Sequence, residues 1–480
     1  MLNAKNLSKM ISMLLAICML FTFAGCGKAV SDTSSDEQIN YGDEDYDIDD
    51  GDDTVVVDKE NKTTKRNNAA SYDNSNTKHT FTIDETKKES FLESVPKDLS
   101  GQEVSILVWW NPFDYEKKKW EKFTAATGIK IKPIYVTGDA YLQRLASLKA
   151  AGNSPDIAAI TSGTYPSAIM QNYFQPLSAG IKNYDPAVYD VDSMNLLKWN
   201  GVQYGAIIKG TTYITMGLMV FNADVFKKYG VKDPNALWQE GNWNWDTFVS
   251  TASEIQKKSN LVGLTADYQG FRLVQTCGED AVTIKDGKIS NNTSSKTYRD
   301  AYKWVNDLQM IGQYKVADFS LNLAGFKAGK SAMYVGENWS LQKGERFENT
   351  SFTLGYAPLP SPKGKQITIP SDAQLWGFPV GAKHTTAAGY VLEYWQNPAF
   401  NEVGNEIWLN DSVAAFCDWM WSQPKNFKVS QGIINYGGDY EWGTYAYECA
   451  SAGKDKLDST MDKWSGVIDS NIKKITKEFG

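Results

Sequence analysis

The run Val104-Ser105-Ile106-Leu107-Val108-Trp109-Trp110 is short, continuous and rich in β-branched residues, which reads as a buried strand. Over residues 116–127, Trp120 and Phe123 stand three apart among charged neighbours and Gly128 follows, which reads as an amphipathic helix with its stop signal. Residues 129–136 repeat the strand pattern, and residues 140–151 give a second helix ending before Gly152. Pro155-Asp156-Ile157-Ala158-Ala159-Ile160 supplies a third strand. Strands alternating with helices at this spacing predict an α/β fold with a parallel sheet covered on both faces. Ligands of such sheets gather beyond the carboxyl ends of the strands, so the segments after Trp110 and after Ile160 are candidate site segments.

Further along, an apolar strand-like run over residues 213–221 opens a second block, followed by a short helix over 222–229. Trp243-Asn244-Trp245-Asp246 precedes an amphipathic helix over 247–258, for which Asp246 is the expected N-cap. Another helix covers 295–309. Phe326-Lys327-Ala328-Gly329-Lys330 then leads into a strand over 331–335, with Gly336-Glu337-Asn338-Trp339 beyond it. Strand patterns at 354–360 and 375–380 precede a largely helical tail from about Thr385, and no internal repeat is present.

Towards the N-terminus the composition changes. Lys5 and Lys9 precede an apolar run over residues 11–23 that ends in Phe23-Ala24-Gly25-Cys26-Gly27, the order and length of a signal peptide over 1–25. The run is shorter than the ~20 apolar residues a membrane-spanning helix needs. Ala24-Gly25-Cys26 resembles the bacterial lipobox, although Phe23 stands where Leu is usual. The resemblance implies a lipoprotein whose Cys26 carries palmitate-type acyl chains and becomes the mature N-terminus, anchored on the extracytoplasmic face of the cell membrane. Residues 26–95 read as a disordered acidic tether, because little apolar area is available to offset the entropy of ordering. A calcium loop around Asp45 and Gly51 fails on spacing, since it would put Tyr46 at the first ligand position.

Residues 31–65 hold 13 acids and 3 lysines, a net of −10 against −8 for the whole chain. The remainder, including a body over 96–480, is nearly neutral, which argues against a nucleic-acid partner. Cys277, Cys417 and Cys449 are widely spaced in that body; one disulfide with one free thiol is open, a disulfide framework is not.

The order of motifs resembles the extracellular solute-binding proteins of ABC importers, in the sugar-binding family that includes maltose-binding protein. The resemblance is carried by a strand ending in Trp109-Trp110-Asn111 and by Phe123-Thr124-Ala125-Ala126-Thr127-Gly128-Ile129, Ser154-Pro155-Asp156-Ile157 and Val220 to Phe226. Trp245-Asp246-Thr247-Phe248, Phe326 to Met333 with Gly336, and Pro358-Leu359-Pro360 continue it in the same order. It implies a two-lobe periplasmic-binding-protein fold of type II, each lobe a doubly wound sheet, closing on ligand about hinge crossovers. The crossovers would lie near 213–222, near 352–358 and near His384. Lobe 1 would hold about 101–216 and 359–382, and lobe 2 about 221–351 and most of 385–480. The implied partners are ABC permease subunits driven by a separate ATPase, with the binding protein itself a monomer that carries no cofactor.

Carbohydrate recognition needs aromatic faces for the apolar side of a pyranose and planar polar groups for its hydroxyls. The chain has 16 Trp and 25 Tyr. Where the family lines its cleft, the resemblance points to Trp110, Trp339 and Trp442, with Tyr268 and Trp376 behind them. Trp339 leads because Gly336-x-x-Trp339 matches the family's stacking pattern. The polar candidates are Asn111 and Asp114 after the first strand and Ser162 and Thr164 after the third. Asp267 beside Tyr268, Glu337 beside Trp339, and Asp372 before the 375–380 strand complete the set.

Gly325-x-x-x-Gly329-Lys330-Ser331 is one residue short of a phosphate loop and precedes a strand rather than a helix. The body holds one histidine, His384, so Ser-His or Cys-His catalysis has almost no raw material, and no metal-ligand spacing occurs. The reading is therefore a membrane-tethered binding subunit, not an enzyme, that captures a carbohydrate, by its many aromatics an oligosaccharide. The rivals are a secreted glycoside hydrolase with two flanking carboxylates, a sugar sensor or adhesin, and a binding protein for a polyamine or iron.

Overall fold

The structure, a computed structural model, describes residues 84–480 apart from 110–112, 114–116, 162–163, 209–213, 268–269, 286, 401–407, 422, 424–426, 430–444, 446–447 and 480. Cys26 and the acidic segment lie outside the described residues.

The folded body already includes Glu85–Ser94, a helix capped by Asp84, whose side chain accepts from the Lys87 amide at 3.0 Å. Phe91 packs on Tyr394 and Phe400 with ring centroids 6.2 and 5.0 Å apart, and Leu92 is buried. The sequence reading began the body at Pro96. One short helix with one buried and one half-buried apolar residue, Leu92 and Phe91, carries almost no periodic signal, and tertiary packing rather than propensity holds it.

β1 (Glu103–Val108) and β2 (Lys130–Tyr135) pair in parallel, as the sequence predicts. Between them the helix Lys117–Thr127 buries Trp120 and Phe123 and stops at Gly128, whose φ of +76° is the left-handed conformation that favours glycine. After the helix Tyr141–Ala150, β3 (Ala158–Thr161) runs on from a parallel bridge between Ile106 and Ile157. Tyr141 locks this unit, its hydroxyl donating to Leu107 O at 2.9 Å and accepting from Ala159 N at 2.7 Å. Asp156 fastens it to the start of the tail. Its carboxylate accepts from Ser105 N and Oγ, both at 2.9 Å, and from the amides of Lys383 at 3.0 Å and His384 at 2.8 Å.

The large sheet is mixed rather than parallel. β4 (Phe174–Gln175) and β5 (Gly205–Ala206) are short, whereas β6 (Ile214–Asn222) spans nine residues. β7 (Val262–Thr265) is followed by an antiparallel hairpin, β8 (Val282–Lys285) and β9 (Lys288–Asn291), then β10 (Ser331–Glu337) and β11 (Leu354–Pro358). β12 (Ile369–Pro379) is eleven residues long, and β13 (Phe427–Val429) pairs beside its start. β3, β4 and β5 pair antiparallel with the second half of β12, whereas β10 and β11 pair antiparallel with β6 from Gly217 onward. The two groups of strands meet where β6 and β12 pair, Met216 opposite Ser371 and Ile214 opposite Ala373. β11, where a crossover was expected, pairs with the second half of β6, and the strand read at 375–380 is only the later part of β12.

The helix Thr385–Gln396 stays with the first group. Tyr394 packs on Phe123 at 4.7 Å, and Lys119 Nζ donates to Trp395 O at 2.9 Å. The return to the second group therefore follows Gln396 and does not occur at His384. There the helix Asp411–Trp421 sets Phe416 on Tyr356 at 5.0 Å. The helix Leu457–Phe479 lies on the β8–β9 hairpin, where Asn291 Nδ2 donates to Ser465 O at 3.1 Å and Asp469 Oδ1 at 2.9 Å.

The helix Trp245–Ser259 is capped by Asn244, not Asp246. Asn244 Oδ1 accepts from the amides of Asp246 and Thr247 while Thr247 Oγ1 accepts from the Asn244 amide, a reciprocal capping box. Asp246 instead places its charge in the first turn, where it favours the helix dipole. Cys417 and Cys449 are buried free thiols. Among the described residues no helix is long and apolar enough to cross a membrane.

Candidate functional site

β7 and β10 run side by side in parallel, with Thr265 opposite Tyr334, so their carboxyl ends open at the same edge. Asp267 lies two residues beyond β7. Glu337 is the last residue of β10, and Trp339 stands in the 3-10 turn Asn338–Leu341 that follows. This is where an α/β sheet presents ligand-binding groups.

Glu337 is only 4% exposed, and both of its oxygens are committed within the protein. Oε2 accepts from Trp339 Nε1 at 2.8 Å, while Oε1 accepts from Arg272 Nε at 3.1 Å and Nη2 at 2.6 Å. Arg272, from the short helix Phe271–Gln275, is fully buried, and Nη2 also reaches Asp372 Oδ2 of β12 at 2.5 Å. Burial works against its charge, but the carboxylates of Asp372 and Glu337 outweigh this and raise its pKa above the ordinary arginine value. Its stem crosses β6 at Gly217, where a Cβ would stand 3.2 Å from Arg272 Cδ and Cγ; glycine leaves room for the guanidinium to reach both carboxylates.

Trp339 is partly exposed. The Arg346 guanidinium carbon lies 5.0 Å from its ring centroid, within cation–π range. Arg346 Nη1 is held by Asp267 Oδ2 at 3.3 Å, and the same oxygen accepts from the Tyr334 hydroxyl at 2.7 Å. Asp267 Oδ1 accepts from Leu323 N at 3.2 Å. The indole is thus fixed at its N–H and on its ring face before any ligand arrives. A pre-oriented, partly exposed indole can stack on a flat apolar face, and the Asp372 carboxylate, 32% exposed and linked to it through Arg272 and Glu337, can accept from a hydroxyl.

The remaining candidates separate. Thr164 is nearly buried, and its hydroxyl closes the turn after β3, accepting from Thr161 N at 3.1 Å and donating to Thr161 O at 3.2 Å. Trp376 is fully buried, 4.7 Å from Trp395 and stacked 6.4 Å from Trp109. The structure therefore places Trp376 in the core rather than at a surface, because it falls in the continuously buried second half of β12. Trp110, Asn111, Asp114, Ser162, Tyr268 and Trp442 lie outside the described residues.

The sequence reading missed Arg272, Arg346 and Tyr334. Arginine is scarce in this chain, five residues in all, and two of them converge here. That scarcity is the one signal that could have singled them out, since an arginine is the usual choice for a buried or stacked cation. Among the described residues no cluster of His, Cys, Asp and Glu could hold a metal ion.

The family model described as bacterial extracellular solute-binding protein matches residues 110–402. Among solved structures, the cyclic alpha-maltosyl-1,6-maltose binding protein from Arthrobacter globiformis is 16% identical, with 78% of this chain and 99% of that one covered and a TM-score of 0.61. The sugar-binding protein MalE from Xanthomonas citri is 16% identical over 79% of this chain and 99% of its own, also with a TM-score of 0.61. A substrate-binding protein from Listeria monocytogenes in complex with cycloalternan is 16% identical over 78% and 98%, with a TM-score of 0.56. The shared architecture is the α/β fold of two-lobe solute-binding proteins. On the family match, which covers more than half of its length, this chain belongs to the bacterial extracellular solute-binding proteins.

Proposed function

We propose that the protein is the substrate-binding subunit of an ABC importer that captures a carbohydrate between two lobes and delivers it to a permease. A separate ATPase supplies the energy, and no bond is made or broken on this chain. The observation that carries the carbohydrate reading is the Trp339 platform, held by Glu337 and Arg346 at the carboxyl ends of β7 and β10 and linked through Arg272 to the partly exposed Asp372 carboxylate. Such an indole packs on the C–H face of a pyranose, and the carboxylate accepts from its hydroxyls. Several proteins of the same fold are named for sugars and oligosaccharides, among them a maltose-bound protein and one in complex with acarbose.

The lobes in this reading centre on the two groups of strands, and the β6–β12 pairing is the hinge between them. Trp110, Asn111, Asp114, Ser162, Tyr268 and Trp442 complete the cleft. Cys26 carries the lipid, residues 1–25 are removed, and the acidic segment up to about Asp84 tethers a monomeric body to the outer face of the membrane. The test is calorimetric titration of the protein against neutral mono- and oligosaccharides, with each mixture then chromatographed. Saturable binding with the sugar recovered intact supports the reading. Conversion to smaller sugars would make the protein a hydrolase, and no binding across the panel would remove the carbohydrate assignment.

A further inference from the structure

The polar groups around Trp339 form a continuous chain rather than a set of separate contacts. Asp372 Oδ2 accepts from Arg272 Nη2, Arg272 Nη2 and Nε donate to Glu337 Oε1, and Glu337 Oε2 accepts from Trp339 Nε1. Its two ends stand on different parts of the sheet. Asp372 lies opposite Thr215 in the short stretch where β12 and β6 join the two groups of strands. Trp339 lies beyond β10, in the second group. Between them Arg272 is fully buried, flanked by the Phe271 ring at 4.8 Å, and its Nη1 lies 3.4 Å from Gln275 Oε1. A guanidinium in that setting has no solvent to fall back on, so a change at one carboxylate must be taken up by the other.

We infer that Arg272 is a positioning residue that couples the Asp372 carboxylate on the linking strand to the orientation of the Trp339 ring. Ligand contact at Asp372 is then felt at the Trp339 ring, and stacking at Trp339 is felt at Asp372, because both ends act on the same guanidinium. Bending of β12 relative to β10 is felt at the indole by the same route. The ligand-binding role of Trp339 rests on the function proposed above; the coupling is read without any ligand.

The experiment is nuclear magnetic resonance of the protein labelled with 15N at tryptophan, the Trp339 indole resonance being identified by its loss in Trp339→Phe. Asp372→Asn, Arg272→Gln and the double variant are compared with the parent. Trp464, whose indole donates to Glu448 at 2.7 Å in the C-terminal helix, serves as the control for intact folding. Asp372→Asn shifts the Trp339 indole resonance while that of Trp464 stays in place. In the Arg272→Gln background, Asp372→Asn adds no further shift. An unmoved Trp339 resonance in Asp372→Asn, or an equal shift with Arg272 absent, would overturn the coupling. Where Arg272→Gln fails to fold, the single Asp372→Asn spectrum decides alone. The panel titration is run on the same samples, so a failed coupling and a failed carbohydrate assignment are read separately.

Discussion

Trp339 donates its indole N–H to Glu337 at 2.8 Å, and that carboxylate is itself anchored by the buried guanidinium of Arg272 at 2.6 Å. A side chain two residues along the same segment thus sets the ring, and a helix from beyond β7 sets that side chain. Replacing Glu337 by Ala frees the indole and leaves Arg272 with one carboxylate. Removing one member of a buried pair costs about 3–5 kcal/mol. Urea denaturation of Glu337→Ala is expected to show a loss of that order, with carbohydrate binding weakened even where the protein remains folded.

Asp156 sits where two distant segments meet, accepting from Ser105 N and Oγ and from the amides of Lys383 and His384. Asp156→Ala leaves these donors unpaired in a nearly closed site. Hydrogen bonds to a charged group contribute about 1.5–3 kcal/mol each, and their losses overlap, so a destabilisation of about 3 kcal/mol is expected in urea titration. Asp156→Asn, which keeps an acceptor oxygen, should lose less.

Gly389 allows the helix Thr385–Gln396 to lie against the chain at Gly180. A Cβ at 389 would stand 2.6 Å from Gly180 O, a backbone atom that cannot rotate away. Although alanine is the better helix former, Gly389→Ala should destabilise by about 2 kcal/mol through overpacking. A thermal midpoint equal to or above that of the parent would show that the helix can move aside.

Glu393 on the same helix faces the Tyr189 hydroxyl at 3.1 Å. Burial raises its pKa, the Tyr189 hydrogen bond opposes that rise, and the Asp185 charge adds to it. A carboxyl with a raised native pKa binds its proton more tightly folded than unfolded. Its favourable contribution is therefore present below the ordinary glutamate range and is lost as pH rises through the native value. Glu393→Gln should accordingly be more stable than the parent at neutral pH, and the difference should close as the pH falls below the ordinary range. Thermal midpoints of the two proteins from pH 3 to pH 8 check both halves of this.

The alternation of β1, β2 and their helices was legible because each signal is local: Trp120 and Phe123 at helical spacing, and Gly128 at the stop. Trp339, Glu337 and Asp267 were picked out in the sequence because they follow strands, and Asp372 because it precedes an apolar run; the structure links all four through Arg272 and Arg346. Arg272 and Arg346 were not picked out, since nothing near either in sequence shows that it meets Glu337 or covers Trp339; only the pairing of β7 with β10 brings them there. Trp376 misled for a related reason. A tryptophan near a strand end looks the same in sequence whether it faces a cleft or the core, and the eleven-residue length of β12 decided which. The β8–β9 hairpin did have a local signal, Asp286-Gly287 after the β-branched run Val282-Thr283-Ile284, with Gly287 at φ +73°. The helix Glu85–Ser94 had none strong enough to lift it out of the polar stretch that precedes it.

If Trp339 is the platform on which a carbohydrate sits, calorimetric titration of the parent and Trp339→Ala with the same sugars must tell the two proteins apart. A buried aromatic anchor contributes about 2 kcal/mol or more, a factor of roughly 30 in affinity. Saturable binding of at least one neutral sugar by the parent is expected, weakened by that factor or abolished in Trp339→Ala, with the variant still unfolding in one cooperative transition. Binding of equal strength in the two proteins would contradict it.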